Sequence, residues 1–120
     1  MAQSRFRTPF INGASMGATV HGTGVDIAGF NEVGMVSTYT GTPTGTFSFE
    51  VSNDSTDGVN GTWAPFTADK GTATAPDGAG AGNLWAVQFA PIAFRWIRAT
   101  FTRSAGTGSW TVWLFARQNP

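Results

Sequence analysis

The sequence predicts an all-β protein, folded as an antiparallel sandwich or barrel of about eight short strands. Sixteen glycines and six prolines are spread through the 120 residues, which leaves almost no room for a long helix. Several segments alternate apolar and polar residues with the period of two that a strand requires. Turn-forming residues recur roughly every ten residues, a spacing typical of these two architectures.

The individual strands follow from local patterns. In the clearest case Phe47, Phe49 and Val51 alternate with Ser48 and Glu50, which predicts a strand with one buried face and one face in water. The other segments are short β-prone runs bounded by turn residues. The predicted strands are 17–21, 24–28, 33–40, 46–52, 62–67, 84–89, 92–105 and 109–117.

The last predicted strand is apolar on both faces. Trp110, Val112 and Leu114 fall on one side, and Trp113 and Phe115 fall on the other. A strand with this pattern is either central in a sheet or covered on its second face by another surface.

Residues 1–15 are predicted to form an extended N-terminal arm, because no regular pattern continues through them. Phe6, between Arg5 and Arg7, and the following Phe10 and Ile11 are expected to dock on another subunit. Residues 16–120 are predicted to form one β-sandwich domain. Within that domain, the Ala- and Gly-rich segment 68–83 is expected to be a long surface loop.

The charge content disfavours a nucleic-acid partner and favours a subunit packed among others. Charged residues make up 12% of the chain, against about 25% in typical soluble proteins, and seven basic residues balance seven acidic ones. Nucleic-acid-binding proteins normally carry a basic excess or stripe. Here only Arg95, Arg98 and Arg103 lie close together in the sequence. A surface this poor in charge repels its own copies only weakly.

The sequence argues against cysteine-dependent sites, a secretory signal and a membrane span. The chain has no cysteine, which excludes disulfides, thiolate metal sites and cysteine nucleophiles. Its N-terminal residues lack the apolar run of a secretory signal. No segment approaches the roughly 18 consecutive apolar residues of a membrane span. We therefore expect no membrane partner and synthesis without a signal peptide.

Groups that could catalyse a reaction are few, and we predict neither enzymatic activity nor a cofactor. His21 is the only histidine, and no cysteine or second histidine could share a metal with it. A hydrogen-bonded structural role is expected for it. Glu50 and Asp26 form the one conceivable glycosidase pair, but Glu50 lies on the polar side of its strand, where a solvated charge is ordinary. A phosphate-binding loop and a nucleophile elbow are both absent from the sequence.

Oxygen-bearing side chains cluster in the segment SNDSTDGVNGTW, residues 52–63. Asp54, Asp57 and Asn60 are spaced by three residues and could ligate calcium. The run does not match the EF-hand pattern, however, and no glutamate closes it. Together with Trp63, the same side chains could instead bind a sugar.

A third interpretation of this segment is an ordinary long turn, which requires no ligand. Aspartate and asparagine side chains accept hydrogen bonds from their own backbone in Asx turns, and Gly58 and Gly61 allow positive φ. The pattern favours this interpretation over calcium, and no metal is predicted.

The order of several motifs resembles that of phage virion proteins. The matching elements are 41-GTPTGTFSFEVSND-54, Trp63, 84-LWAV-87 and 94-FRWIRATFTRSAGTGSWTV-112. In that group, a G-T-P-T-G-T strand leads to V-S-N-D-G and a Trp, and a later aromatic–basic–aromatic–[IV]-R strand precedes S-G-T-G and a terminal strand. The resemblance covers about residues 24–117, with an insertion between Asp54 and Trp63. The S-N-D…W and W-I-R elements are more loosely similar to discoidin-type sandwich domains, which bind sugars or lipids.

The resemblance implies a single jelly-roll-like β-sandwich and a place in the virion, after synthesis in the host cytoplasm. It implies a capsid decoration (cement) protein that binds the major capsid protein and its own copies as a homo-oligomer, or else a tail or fibre component. The expected contact residues are Phe6, Phe10, Ile11, Trp113 and Phe115. The alternative function is a glycan-binding module, and its expected ligand residues are Asp54, Asp57, Asn60 and Trp63.

Overall fold

The computed structural model describes residues 5–71, 73–74, 85–90 and 92–118, with side chains from residue 11 onward. These residues form nine β-strands and contain no helix, and therefore no helix that could cross a membrane. The strands are β1 (Arg5–Ser15), β2 (Val20–His21), β3 (Val25–Asp26), β4 (Glu32–Gly41), β5 (Thr44–Ser52), β6 (Ala64–Pro65), β7 (Trp85–Phe89), β8 (Trp96–Ala105) and β9 (Gly108–Arg117). The prediction of an all-β fold is confirmed.

The strands form two antiparallel sheets that pack face to face. The first sheet has the order β1-β9-β4-β7, and the second has the order β2-β8-β5-β6, with β3 also paired to β8. Because β2 and β3 share one position beside β8, the sandwich has eight strand positions. The chain changes sheet at nearly every connection, which is the jelly-roll arrangement of two Greek keys. The predicted jelly-roll-like sandwich is confirmed.

Strand β1 contains most of the segment that the sequence predicts as an arm. It pairs with β9 along its length, with register shifts on either side of Ile11. Pro9 has no N–H to donate to the ladder, and Gly13 has a φ of 70°, so neither residue continues a regular alternation. These irregularities hide the strand in the sequence. From Arg5 onward, the expected arm is an edge strand of the chain's own sandwich.

Aromatic rings fill the centre of the core between the sheets. The ring of Phe47 lies 5.2 Å from the rings of Trp85 and Trp110, centroid to centroid, and 5.5 Å from the ring of Phe101. The rings are tilted against one another, an arrangement that aromatic quadrupoles favour over a face-to-face sandwich. This cluster joins β5 and β8 of the second sheet to β7 and β9 of the first.

Strand β9 is central in the first sheet, between β1 and β4. Its residues Trp110, Val112 and Leu114 point into the core and are fully buried. Trp113 and Phe115 lie on the outward side, where Trp113 is half-buried and Phe115 is exposed. Of the two arrangements expected for a strand that is apolar on both faces, the structure has the central one.

A buried hydrogen bond joins β9 to β4 inside the core. The Trp110 indole Nε1 donates to Ser37 Oγ at 2.7 Å, and both residues are completely buried. Trp110 is paired in register with Tyr39, so the bond reaches diagonally to the residue two positions along β4. An indole N–H left without a partner in such a place would cost about 1–3 kcal/mol.

We predict that Ser37→Ala lowers the free energy of unfolding by about 1–3 kcal/mol, because it leaves the Trp110 N–H unsatisfied in the core. Adding Trp110→Phe to this variant should cost less than Trp110→Phe alone, since no donor then remains to be satisfied. Urea denaturation followed by circular dichroism measures all three. Thr38→Ala, at the next, exposed position of β4, is the control and should change stability by less than about 0.5 kcal/mol. Strict additivity of the two core substitutions would contradict the predicted coupling.

Candidate functional site

The loop between β5 and β6, residues 53–63, is closed by hydrogen bonds between its own groups. Asp54 Oδ1 accepts the Thr62 N–H at 2.7 Å. Asp57 Oδ1 accepts the N–H groups of Val59 and Asn60, each at 2.8 Å. Hydrogen bonds to the charged form lower a carboxyl pKa. The pKa of Asp54 is therefore below its ordinary 3.8, chiefly because of the Thr62 N–H, and that of Asp57 is lowered chiefly by the Asn60 N–H.

The third oxygen-bearing side chain is used in the same way. Asn60 Oδ1 accepts the Thr56 N–H at 2.8 Å and the Ser55 hydroxyl at 3.0 Å. Gly58 and Gly61 have φ of 83° and 91°, as the turn interpretation requires. Among the described residues, no three His, Asp or Glu side chains lie together as they would at a metal site. The β5–β6 loop thus has the hydrogen bonding of a long turn.

The β5–β6 loop folds back over the outward side of the second sheet. The Gly24 N–H donates to the Gly58 carbonyl at 2.7 Å, which joins the loop to the segment before β3. A Cβ on Gly58 would lie 3.1 Å from the ring of Trp96, so the loop backbone lies almost directly on that ring. The Trp63 indole Nε1 donates to the Asn60 carbonyl at 2.9 Å. The loop therefore covers Trp96 and also fixes the orientation of Trp63.

Trp63 is covered in turn by a charged residue of the sheet. The guanidinium carbon of Arg98 lies 4.3 Å from the centroid of the Trp63 ring, a cation–π contact. Arg98 Nε and Nη2 each lie 2.9 Å from Glu50 Oε1, and the Thr100 hydroxyl donates to the same oxygen at 3.3 Å. Glu50 is thus ion-paired rather than solvated, contrary to our expectation. One face of the Trp63 ring is occupied by Arg98 and is not open to a sugar.

The other titratable groups considered in the sequence lie in two places, with His21 beside the Thr100 hydroxyl that also contacts Glu50, and Asp26 beside Arg95. His21 is exposed on β2, with its Nδ1 3.5 Å from the Thr100 hydroxyl oxygen. Asp26 pairs with Arg95 at 3.2 Å. Asp26 and Glu50, the conceivable glycosidase pair, are therefore each bound to a different arginine.

The outward side of the first sheet differs from that of the second in having an exposed aromatic ring, Phe115, near its middle. We call it the first-sheet outer face and define it by the outward residues of its two central strands. These are Glu32, Gly34, Val36 and Thr38 of β4, and Thr111, Trp113, Phe115 and Arg117 of β9. Along the strands, the face passes from an ion pair through an apolar band to hydroxyl groups.

The apolar band lies at the middle of this face. Val36 is paired in register with Trp113, and Gly34 is paired with Phe115. Ala86 of β7 continues the Val36 row and is exposed. At one end of the band, Arg117 Nε lies 2.7 Å from Glu32 Oε1. An apolar centre with a polar rim is the general anatomy of a protein–protein interface.

The residues predicted to contact partners lie in three different settings. Trp113 and Phe115 lie side by side in the apolar band. Ile11 is only 5% exposed and packs in the chain's own core, so its expected role in subunit contact is wrong for this structure. The side chains of Phe6 and Phe10 lie outside the described residues, although both positions belong to β1. The sequence did not indicate Val36 or Gly34, because their proximity to Phe115 depends on strand register.

We predict that Gly24→Ala destabilises the protein by about 1–3 kcal/mol, a typical cost of overpacking. The new Cβ would lie 2.5 Å from Trp63 Cη2 and 3.1 Å from the Gly58 carbonyl oxygen, so the β5–β6 loop must move. Chemical denaturation measures the loss. Gly34→Ala is the matched control, because a Cβ there meets only one atom of the described residues within 4 Å, at 3.8 Å. Equal effects of the two substitutions would contradict this account of the loop.

We predict an acid-dependent contribution from the β5–β6 loop. The folded-state pKa values of Asp54 and Asp57 are lowered, so their stabilising effect is complete above the ordinary value and is lost as pH falls through the lowered values. The double variant Asp54→Asn/Asp57→Asn keeps an acceptor oxygen at each site but has no charge. Below about pH 4 its urea midpoint should therefore fall less than that of the wild type. Parallel midpoints from pH 7 to pH 2 would contradict this prediction.

No protein-family model matches the chain, and no curated protein matches it. Solved structures match it in fold. The SPBc2 prophage-derived protein YomS aligns with a TM-score of 0.66 and 16% sequence identity, over 98% of this chain and 96% of that one. A chain in the structure of infectious bursal disease virus, Gx strain, aligns with a TM-score of 0.55 and 12% identity. That alignment covers 97% of this chain but 32% of the viral one.

A third structure is more distant. Chitosan-binding module 1 of a Paenibacillus chitosanase/glucanase aligns over 97% of this chain and 76% of that module, with 16% identity and a TM-score of 0.46. At identities this low, the first two structures establish a shared fold and nothing more about this chain. The fold is a sandwich found in a prophage-derived protein and in a virus structure, which agrees with the fold that the sequence resemblance implies.

Proposed function

We propose that this chain is a non-enzymatic structural subunit of a phage virion. In this role it decorates the capsid, binding the major capsid protein and its own copies. Added contacts between neighbouring capsomers would oppose the pressure of the packaged genome. The protein acts by burying surface, so it needs neither a catalytic group nor a cofactor.

The observation that carries the proposal is the apolar band of the first-sheet outer face. Phe115 is 41% exposed there, with Trp113 and Val36 beside it. Full burial of a Phe side chain is worth roughly 1.5–3 kcal/mol, so a partner that covers the band gains affinity from it. The low charge content of the chain adds little repulsion between neighbours.

The shared fold supports the same proposal. A sandwich of this fold occurs in the prophage-derived protein and in a chain of the virus structure. The motif order in the sequence resembles that of phage virion proteins independently of this likeness.

The alternative, a glycan-binding module, has less support from the loop that would perform it. Side-chain oxygens of Asp54, Asp57 and Asn60 already accept hydrogen bonds from the loop's own N–H and hydroxyl groups. Trp63 has Arg98 against its ring. These contacts occupy one oxygen of each carboxylate and one face of the Trp63 ring, which leaves fewer groups for a sugar to bind.

We expect quantitative mass spectrometry of gradient-purified particles of the encoding phage to find this protein in many copies per particle. Particles made without it should break more readily under osmotic shock, and adding purified protein should restore their resistance. A few copies per particle would indicate a tail or fibre component instead. Absence from particles would overturn the proposal.

A glycan array, probed with and without calcium, should give no binding. Tight binding of one sugar class that is lost in Trp63→Ala but kept in Phe115→Ser would favour the glycan-binding alternative. Trp63 lies in the loop beside the second sheet and Phe115 lies on the first sheet, so each substitution serves as the control for the other.

A further inference from the structure

Two adjacent positions on the first-sheet outer face have opposite shapes. Phe115 of β9 is 41% exposed and projects from the face. Gly34 of β4 is paired with it in register and has no side chain. A Cβ built on Gly34 would meet only the Val87 carbonyl oxygen among the described atoms, at 3.8 Å. A protruding ring therefore lies directly beside an open hollow.

We propose that this face binds a second copy of the chain about a two-fold axis, with Phe115 of each copy seated in the Gly34 hollow of the other. The inference rests on the proposed function, since it names the surface through which copies of the subunit meet. A two-fold interface joins the same patch from both copies, so the patch must be complementary to itself. A protruding ring beside a hollow of its own satisfies that condition.

The position of the axis follows from the sheet order. It runs parallel to the strands, in the plane between the two facing sheets, and passes between β9 and β4. These are the middle two strands of the four, so the axis lies at the centre of the face. Rotation by half a turn sets β9 of each copy across from β4 of the other, and β1 across from β7. Two residues that are register partners within one chain therefore face each other across the interface, one from each copy.

The same axis matches the charges at the end of the face. Arg117 and Glu32 are register partners, with Arg117 Nε 2.7 Å from Glu32 Oε1 inside one chain. The rotation sets Arg117 of each copy across from Glu32 of the other, so these opposite charges meet twice. On the next apolar row, Trp113 comes across from Val36. A single operation therefore satisfies the ring, the hollow and the ion pairs.

The spacing of packed sheets also favours this arrangement. Sheets that pack face to face stand about 10 Å apart, a gap that interdigitating side chains fill. A large ring set over a glycine fits such a gap, whereas two protruding rings set against each other would hold the sheets further apart.

Sedimentation velocity of the purified chain tests the proposal, and we expect a concentration-dependent monomer–dimer equilibrium. Phe115→Ser removes the ring, and Gly34→Val fills the hollow. Each should weaken dimerisation at least about tenfold, the loss expected when a Phe side chain is no longer buried. Thr46→Val, at an exposed position of β5 in the second sheet, is the control and should leave the equilibrium unchanged. Circular dichroism verifies that every variant is folded.

Mixing the two variants tests the reciprocal contact. Phe115→Ser has an open hollow but no ring, and Gly34→Val has a ring but a filled hollow. Neither can make the contact with itself, but the ring of Gly34→Val can enter the hollow of Phe115→Ser. We therefore expect the equimolar mixture to form a heterodimer more tightly than either variant forms a homodimer. A mass difference or a tag on one variant identifies the heterodimer.

The outcomes separate this inference from the proposed function. A wild type that is monomeric at every concentration overturns the two-fold interface, and so do two variants that dimerise as well as the wild type. A mixture no more associated than its components overturns the ring-in-hollow contact. If the protein is nevertheless abundant in purified particles, the virion role stands and only this interface is wrong. A protein that dimerises as expected but is absent from particles supports the interface and overturns the virion role.

Discussion

The register of β9 against β4 determines which aromatic side chains are buried and which are presented. Strand β9 is apolar on both faces, so hydrophobic burial alone would tolerate a slip of one residue that turns its outward rings into the core. Two polar contacts distinguish the arrangements. The Trp110 indole bonds to Ser37 in the core, and Arg117 pairs with Glu32 at the other end of the strand. A slip would break both contacts and leave the buried Ser37 hydroxyl without its partner. Polar groups therefore specify the register, which the apolar pattern alone does not.

The outward sides of the two sheets differ in how far the chain's own residues cover them. On the second sheet, the β5–β6 loop lies on Trp96, and Trp63 packs against Arg98. The polar groups of the loop hydrogen-bond largely to one another, so the loop can cover the sheet without an external ligand. On the first sheet, Phe115 remains exposed beside Gly34. The β5–β6 loop thus covers part of the outward side of the second sheet, whereas the middle of the first sheet keeps the Phe115 ring exposed.

Local patterns in the sequence predicted what depends on a few consecutive residues. The alternation around Phe47 identified β5, and the glycines of the β5–β6 loop indicated its turn. Strand β1 is not evident from the sequence because Pro9 and Gly13 interrupt its alternation, and the ladder to β9 identifies it as a strand. The contact of Trp63 with Arg98 and the pairing of Gly34 with Phe115 join residues far apart in sequence. No periodicity encodes them, since they depend on which strands pair and in what register.

The position of β9 also constrains how the protein is made. It is the last strand in the described chain, yet it lies between β1 and β4, which have no ladder to each other. During synthesis, the first sheet cannot close until β9 has left the ribosome, and until then β1 and one edge of β4 have unpaired backbone groups. Such non-local pairing folds slowly and leaves strand edges open to aggregation. Pro9 and Gly13 interrupt β1, and these interruptions hinder its edge-to-edge pairing with other chains while it is still unpaired. The irregularity that obscures the strand in the sequence is thus also one that disfavours edge-to-edge pairing.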